Sequence, residues 1–131
     1  MPETILVVDD EDDIRAVVRQ MLSREGYVVL DAADPNQALR LAAQAPVDLL
    51  LTDVVMPLMR GTELAQRLLT VVPSAKVLLM SAYKVAEIAA SGHPFIAKPF
   101  TPAELAEKVR RVLRNEPSPF ARRRPPPRPD R

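Results

Sequence analysis

The chain has 131 residues, 47% of them hydrophobic, with no cysteine and a formal net charge of +1. That length accommodates one domain with its own core, and the lack of cysteine excludes a disulfide framework and a thiolate metal site. No apolar run is long enough to span a bilayer, and Met1-Pro-Glu-Thr4 lacks the layout of a signal peptide, so a cytoplasmic protein without a membrane span is expected. The charge is uneven: residues 1–116 carry 13 Lys/Arg and 16 Asp/Glu, whereas residues 117–131 carry five Arg and one Asp. Residues 1–116 are read as the domain, and its acidic balance offers no nucleic-acid surface. Residues 117–131 include six prolines and no apolar periodicity, and are read as a disordered Pro/Arg-rich tail with no room for a DNA-binding domain.

Strand-like and helix-like patterns alternate from residue 4 to 114. Ile5–Val8 is a short apolar run, read as a buried strand. Ile14, Val17, Val18, Met21 and Leu22 then recur at helical spacing, with Arg15, Arg19 and Arg24 turned outward and Gly26 as the cap. Tyr27–Asp31 is the second strand. Asp34-Pro35 opens a second helix with a capping carboxylate and a proline at its first position. Val47–Thr52 is the third strand, apolar except at Asp48, as suits a strand covered on both faces. A loop follows to Gly61, then a helix over 62–71. Lys76–Met80 and Phe95–Ala97 are the last strands. Thr101-Pro102-Ala103-Glu104 has capping-box spacing before a final helix with Leu105, Val109, Val112 and Leu113 as its apolar stripe. Five strands alternating with helices give an α/β doubly wound parallel sheet with helices on both faces.

In such a sheet the carboxyl ends of the strands gather along one edge, where ligands bind. Asp9 and Asp10, Asp53, Ser81 and Lys98 each follow a strand and would meet there. Asp53 suits a nucleophile that forms an aspartyl phosphate; it equally suits a turn cap. Asp9 and Asp10 are assigned to a divalent metal, since magnesium takes few carboxylates together with waters and phosphate oxygens. Glu11, Asp12 and Asp13 are assigned to the acidic N-terminus of the first helix. Lys98 offers a point charge for a phosphate, and Pro99 holds it extended and opens the option of a cis bond. Ser81 is either an ordinary strand-end hydroxyl or a donor to a phosphoryl oxygen. His93, the single histidine, is read as a surface loop residue, and Arg60 as exposed.

The ordered set Ile5-Leu-Val-Val-Asp-Asp10, Asp53-Val-Val-Met-Pro57 with Gly61, Ser81-Ala82 and Lys98-Pro-Phe100 resembles the receiver domain of two-component response regulators. The resemblance covers roughly residues 4–114 and implies a flavodoxin-like sheet in the order 2-1-3-4-5. It implies that Asp53 accepts a phosphoryl group from a sensor histidine kinase or phosphotransfer protein. It also implies that Mg2+ is held by Asp10, Asp53 and the Val55 backbone carbonyl, with Asp9 acting through water. Ser81 and Lys98 would engage the phosphoryl oxygens, and Phe95 matches the aromatic position that turns inward on phosphorylation. The protein would then switch the binding of a downstream protein partner, with at most self-phosphorylating and self-dephosphorylating activity. The alternatives are a receiver module of a hybrid kinase or larger regulator, and a non-phosphorylated interaction module. A phosphatase with an aspartate nucleophile would need a second carboxylate two residues on, where Val55 stands.

The chain departs from the family pattern in one stretch. From Ser81 to Lys98 there are 17 positions, about five fewer than the motif comparison leads one to expect. Only Lys84–Ser91 remains for the fourth helix, which is therefore expected to be shortened and the output face altered. The family's dimerisation through the fourth and fifth helices does not carry over to so short a region, and a monomer or weak dimer is expected. Val55 and Tyr83 flank the path of hydrolytic water in the family, and their bulk predicts slow self-dephosphorylation.

Overall fold

A computed structural model of the protein describes residues 2–83 and 86–115. The expected Pro/Arg-rich tail, and Lys84 and Val85 at the start of the expected fourth helix, lie outside the described residues. The elements run β1 (Thr4–Val8), α1 (Asp12–Arg24), β2 (Val28–Ala32), α2 (Pro35–Gln44), β3 (Leu49–Asp53), α3 (Gly61–Val71), β4 (Lys76–Ser81), α4 (Ala86–Ser91), β5 (Phe95–Ala97) and α5 (Pro102–Leu113). The five strands form one parallel sheet in the order β2-β1-β3-β4-β5.

Alternation along the strands divides the core in two. Leu6, Val8, Leu50 and Leu79 face α2, α3 and α4 through Ala38, Ala42, Leu64, Leu68 and Ile88. Ile5, Val7, Leu49, Leu51, Leu78 and Met80 face α1 and α5 through Val18, Leu22, Leu105 and Val109. β1, β3 and most of β4 are buried at every position, which is why they read as continuous apolar runs.

Local chemistry sets the helix ends. Asp34 accepts the Gln37 N–H at 2.9 Å, with Pro35 at the first helical position. Thr101 and Glu104 form the reciprocal capping box, at 3.1 and 2.8 Å. α1 ends where the Gly26 N–H donates to the Ser23 carbonyl and the Tyr27 N–H to the Leu22 carbonyl, a double closure with Gly26 at φ 94°.

Three expectations need correction. β2 runs one residue later than Tyr27–Asp31, because its register with β1 starts at Val28 opposite Thr4. β3 starts at Leu49 and takes in Asp53; Asp48 precedes it and accepts the Thr4 N–H at 2.7 Å, which accounts for the one acidic residue in that run. Arg15 does not turn outward. Its guanidinium lies across the ends of β1 and β2, donating to the Asp9 carbonyl at 2.8 Å and to Asp31 at 3.1 Å. Among the described residues α4 has six residues, against 10 to 13 in the other four helices, and no helix is long and apolar enough to cross a membrane.

Candidate phosphoryl-transfer and metal site

The strand order reverses between β1 and β3, which places the ends of these neighbours at the crevice where ligands of such sheets bind. Val8 lies level with Thr52 in their register, so Asp9 and Asp53 stand side by side at the next step. One oxygen from each of Asp9, Asp10 and Asp53 falls within a group no wider than 4.8 Å. Asp10 is exposed, Asp53 is buried, and Asp9 is fully buried.

Lys98 reaches this group from the end of β5. Its Nζ donates to Asp9 Oδ2 at 2.9 Å and to Asp53 Oδ2 at 3.1 Å. The Lys98–Pro99 peptide bond is cis. The second oxygen of Asp9 accepts the Glu11 N–H at 2.8 Å, and that of Asp53 accepts the Val55 N–H at 3.3 Å. Both Asp9 oxygens are thus engaged by protein donors.

Burial pushes the Asp53 carboxyl up from its ordinary value; the Lys98 ammonium opposes this, and Asp9 adds to it. Burial alone would lower the Lys98 ammonium, but hydrogen bonds and charge attraction from Asp9 and Asp53 outweigh it and hold Lys98 above its ordinary value. Asp9 and Asp53 therefore share one ammonium with Asp10 close beside them, and among the described residues the cluster keeps a negative surplus. A hard divalent cation takes oxygen ligands of this kind, so the residues present fit Mg2+.

Ser81 is buried at the end of β4, but its hydroxyl is turned to its own chain. It donates to the Tyr83 carbonyl at 2.8 Å and accepts the Tyr83 N–H at 3.1 Å. Phe95 is half-buried against the core cluster that contains Leu79 and Ile88. His93 is half-buried rather than freely exposed, and burial lowers its pKa. A groove of about 600 Å³ opens on Asp53 and Lys98, lined also by Ile14, Val17, Met21 and Phe100 as its apolar side chains and by Val55 and Tyr83.

Three features of the surroundings escape sequence reading. Arg15 fixes the Asp9 backbone from α1; the signal was a long basic residue one turn into the helix, with Asp31 waiting at the end of β2. Gly61 donates its N–H to the Val54 carbonyl at 2.8 Å, and a Cβ there would lie 2.0 Å from the Asp53 carbonyl oxygen. Arg60, expected to be merely exposed, pairs with Glu87 of α4, and Thr62 donates to the other Glu87 oxygen at 2.9 Å. The Arg60 and Thr62 hydrogen bonds hold the Glu87 carboxyl below its ordinary value.

Residues 5–110 match the family model described as the response regulator receiver domain. Response regulator GtcR of Aneurinibacillus migulanus is 35% identical over 119 residues, covering 87% of this chain and 49% of that protein. Sporulation initiation phosphotransferase F of Bacillus subtilis is 33% identical over 120 residues, covering 86% of this chain and 95% of that protein. A CheY-like receiver domain protein from Methanospirillum hungatei superposes with a TM-score of 0.82 at 31% identity, over 88% of this chain and 96% of that one. The chain spans about half the length of several curated relatives it matches, GtcR among them.

Proposed function

This chain belongs to the response regulator receiver domain family of two-component systems, and on that premise we propose that Asp53 accepts a phosphoryl group from a sensor histidine kinase or a phosphotransfer protein. The observation that carries the proposal is the Lys98 ammonium held between Asp53 and Asp9 at the switch point of the sheet. An Asp53 oxygen attacks the phosphorus of a phosphohistidine. The P–N bond breaks, a P–O bond forms, and the freed imidazole takes up a proton from water. Lys98, already within reach of Asp53, neutralises charge on the transferred oxygens; positioning and charge neutralisation are most of what this transfer requires. The Ser81 hydroxyl gives up its Tyr83 carbonyl to donate to a phosphoryl oxygen, and Phe95 responds on the neighbouring strand.

Asp10, Asp53 and the Val55 carbonyl would hold Mg2+, with Asp9 acting through water. Bound there, the ion supplies Lewis-acid charge stabilisation for the phosphoryl oxygens. The apolar groove beside Asp53 gives the phosphodonor a surface to seat against, formed by Ile14, Val17, Met21 and Phe100. Val55 and Tyr83 crowd the approach of water, which slows hydrolysis of the acyl phosphate.

The test is incubation with acetyl phosphate, with and without magnesium, followed by intact mass. The expected result is a magnesium-dependent phosphoryl adduct that is lost in Asp53→Asn. Folded protein that gains no adduct would point instead to an interaction module with a silent site.

A further inference from the structure

At the opposite end of the sheet, β4 outruns its neighbour. β4 has six residues and β5 three, and their pairing covers only Leu79, Met80 and Ser81. The side of β4 that faces β5 is marked by two hydrogen bonds, from the Leu79 N–H to the Pro94 carbonyl and from the Lys98 N–H to the Ser81 carbonyl, both 2.9 Å. Alternation puts the N–H and C=O of Val77 on that same side. Neither has a partner among the described residues. Pro94, next along the chain toward β5, has no N–H with which to continue the ladder. Val77 is only 4% exposed, and a buried, unpaired N–H and C=O is a costly exception in a folded protein.

This length of open edge lines a cleft of about 680 Å³ between β4, the Gly92–Pro94 turn and the last turns of α5. Lys108 and Arg111 project into it from one face of α5, and Lys76 from the start of β4. All three are half-buried, and no acidic side chain lines the cleft among the described residues. Arg111 meets Glu107 at 3.5 Å on the helix surface, while Lys76 and Lys108 have no ion-pair partner among the described residues. Leu69, Val77 and Val112 supply an apolar floor.

We propose that this cleft docks an extended acidic segment of a partner protein, which pairs its main chain with Val77 and sets its carboxylates against Lys76, Lys108 and Arg111. Adding a strand to an open edge gives affinity through the main chain and specificity through alternate side chains. The chain's own residues 117–131 are the wrong occupant, with five arginines repelled by the cleft and six prolines unable to donate. Nucleic acid is disfavoured too, because the cleft has an apolar floor and, among the described residues, His93 is the one ring on which a base could stack, short of the row of aromatic rings that successive bases need.

The full chain, labelled with nitrogen-15, is titrated with a capped hexapeptide of alternating aspartate and valine. The expected result is a shift and slowed exchange at the Val77 amide. Affinity should weaken by about tenfold in a Lys108→Glu/Arg111→Glu variant whose urea midpoint is unchanged. The lysine-valine counterpart, inorganic phosphate and a single-stranded oligothymidylate are run beside it. A silent Val77 amide, an equal response to the lysine peptide, or phosphate producing the whole response would overturn the proposal. Tighter binding of the oligothymidylate than of the acidic peptide would also overturn it.

Discussion

The two ends of the sheet handle charge in opposite ways. At the carboxyl end, Asp9 and Asp53 hold the ammonium of Lys98 and Asp10 stands in the same acidic group, leaving a negative surplus among the described residues. At the amino end, Lys76, Lys108 and Arg111 gather with no carboxylate among the described residues that line their cleft. Between them lies the balanced case, Glu87, whose two oxygens are taken by Arg60 and Thr62. The difference separates two uses of charge. A matched exposed pair positions an element and has little left to bind, whereas a partly buried surplus costs stability and attracts whatever neutralises it.

The sharpest way to break this contrast is at Lys98. In Lys98→Met, the fully buried Asp9 and its neighbour Asp53 lose their shared cation. Urea unfolding without magnesium should show a loss on the order of 3 kcal/mol, and labelling by acetyl phosphate should slow by about 100-fold. Unchanged stability would mean that the surplus is borne elsewhere. The next effect should come from filling the site. Magnesium at about a hundred times its dissociation constant adds roughly 2.7 kcal/mol to a fold that alone binds it. Thermal melts across a magnesium series should show this gain in the wild type and lose most of it in Asp10→Asn.

The smallest effect belongs to the balanced pair. Glu87→Gln should leave the urea midpoint nearly unchanged while amides of α4 exchange several-fold faster at neutral pH. The six described residues of α4 are too few to persist as a helix without tertiary contacts. The Glu87 carboxyl is held below its ordinary value of 4.5, so its contribution is present above that value and disappears as pH falls through the depressed one. The difference between wild type and Glu87→Gln in α4 should therefore close in acid. It should close at high salt as well, because Arg60 is exposed and the pair is screened. A difference that survives both conditions would assign the effect to packing.

Much of this was legible in the sequence where the determinants are local. The caps at Asp34 and Thr101 and the turn at Gly26 each depend on residues within one helical turn, and their elements begin or end beside them. The sheet order followed from the family resemblance. Of the candidate site, the residues that meet are those that stood at strand ends: Asp9, Asp10, Asp53 and Lys98. What escaped depends on register and on long-range meetings. The ends of β2 are set by pairing with β1, and β3 extends to Asp53 by pairing with Met80 of β4, rather than by their own apolar runs. Arg60 and Glu87 are 27 positions apart with no motif between them. The Ser81 hydroxyl bonding to Tyr83 is a choice of rotamer, which no pattern of residue types records. The open edge at Val77 exists because β5 begins late, level with Leu79, a fact about its neighbour.

Gly61 has a consequence for how the site tolerates change. The segment from Val54 to Gly61 is a hoop whose ends touch, closed by the Gly61 N–H on the Val54 carbonyl. Its crest is Leu58, 82% exposed and at φ 75°. Lengthening a closed surface loop costs little, since closure entropy grows only slowly with its length. A single methyl at position 61 would meet the Asp53 backbone at 2.0 Å. Evolution is thus freer to insert whole residues at the crest than to add one carbon at the clasp.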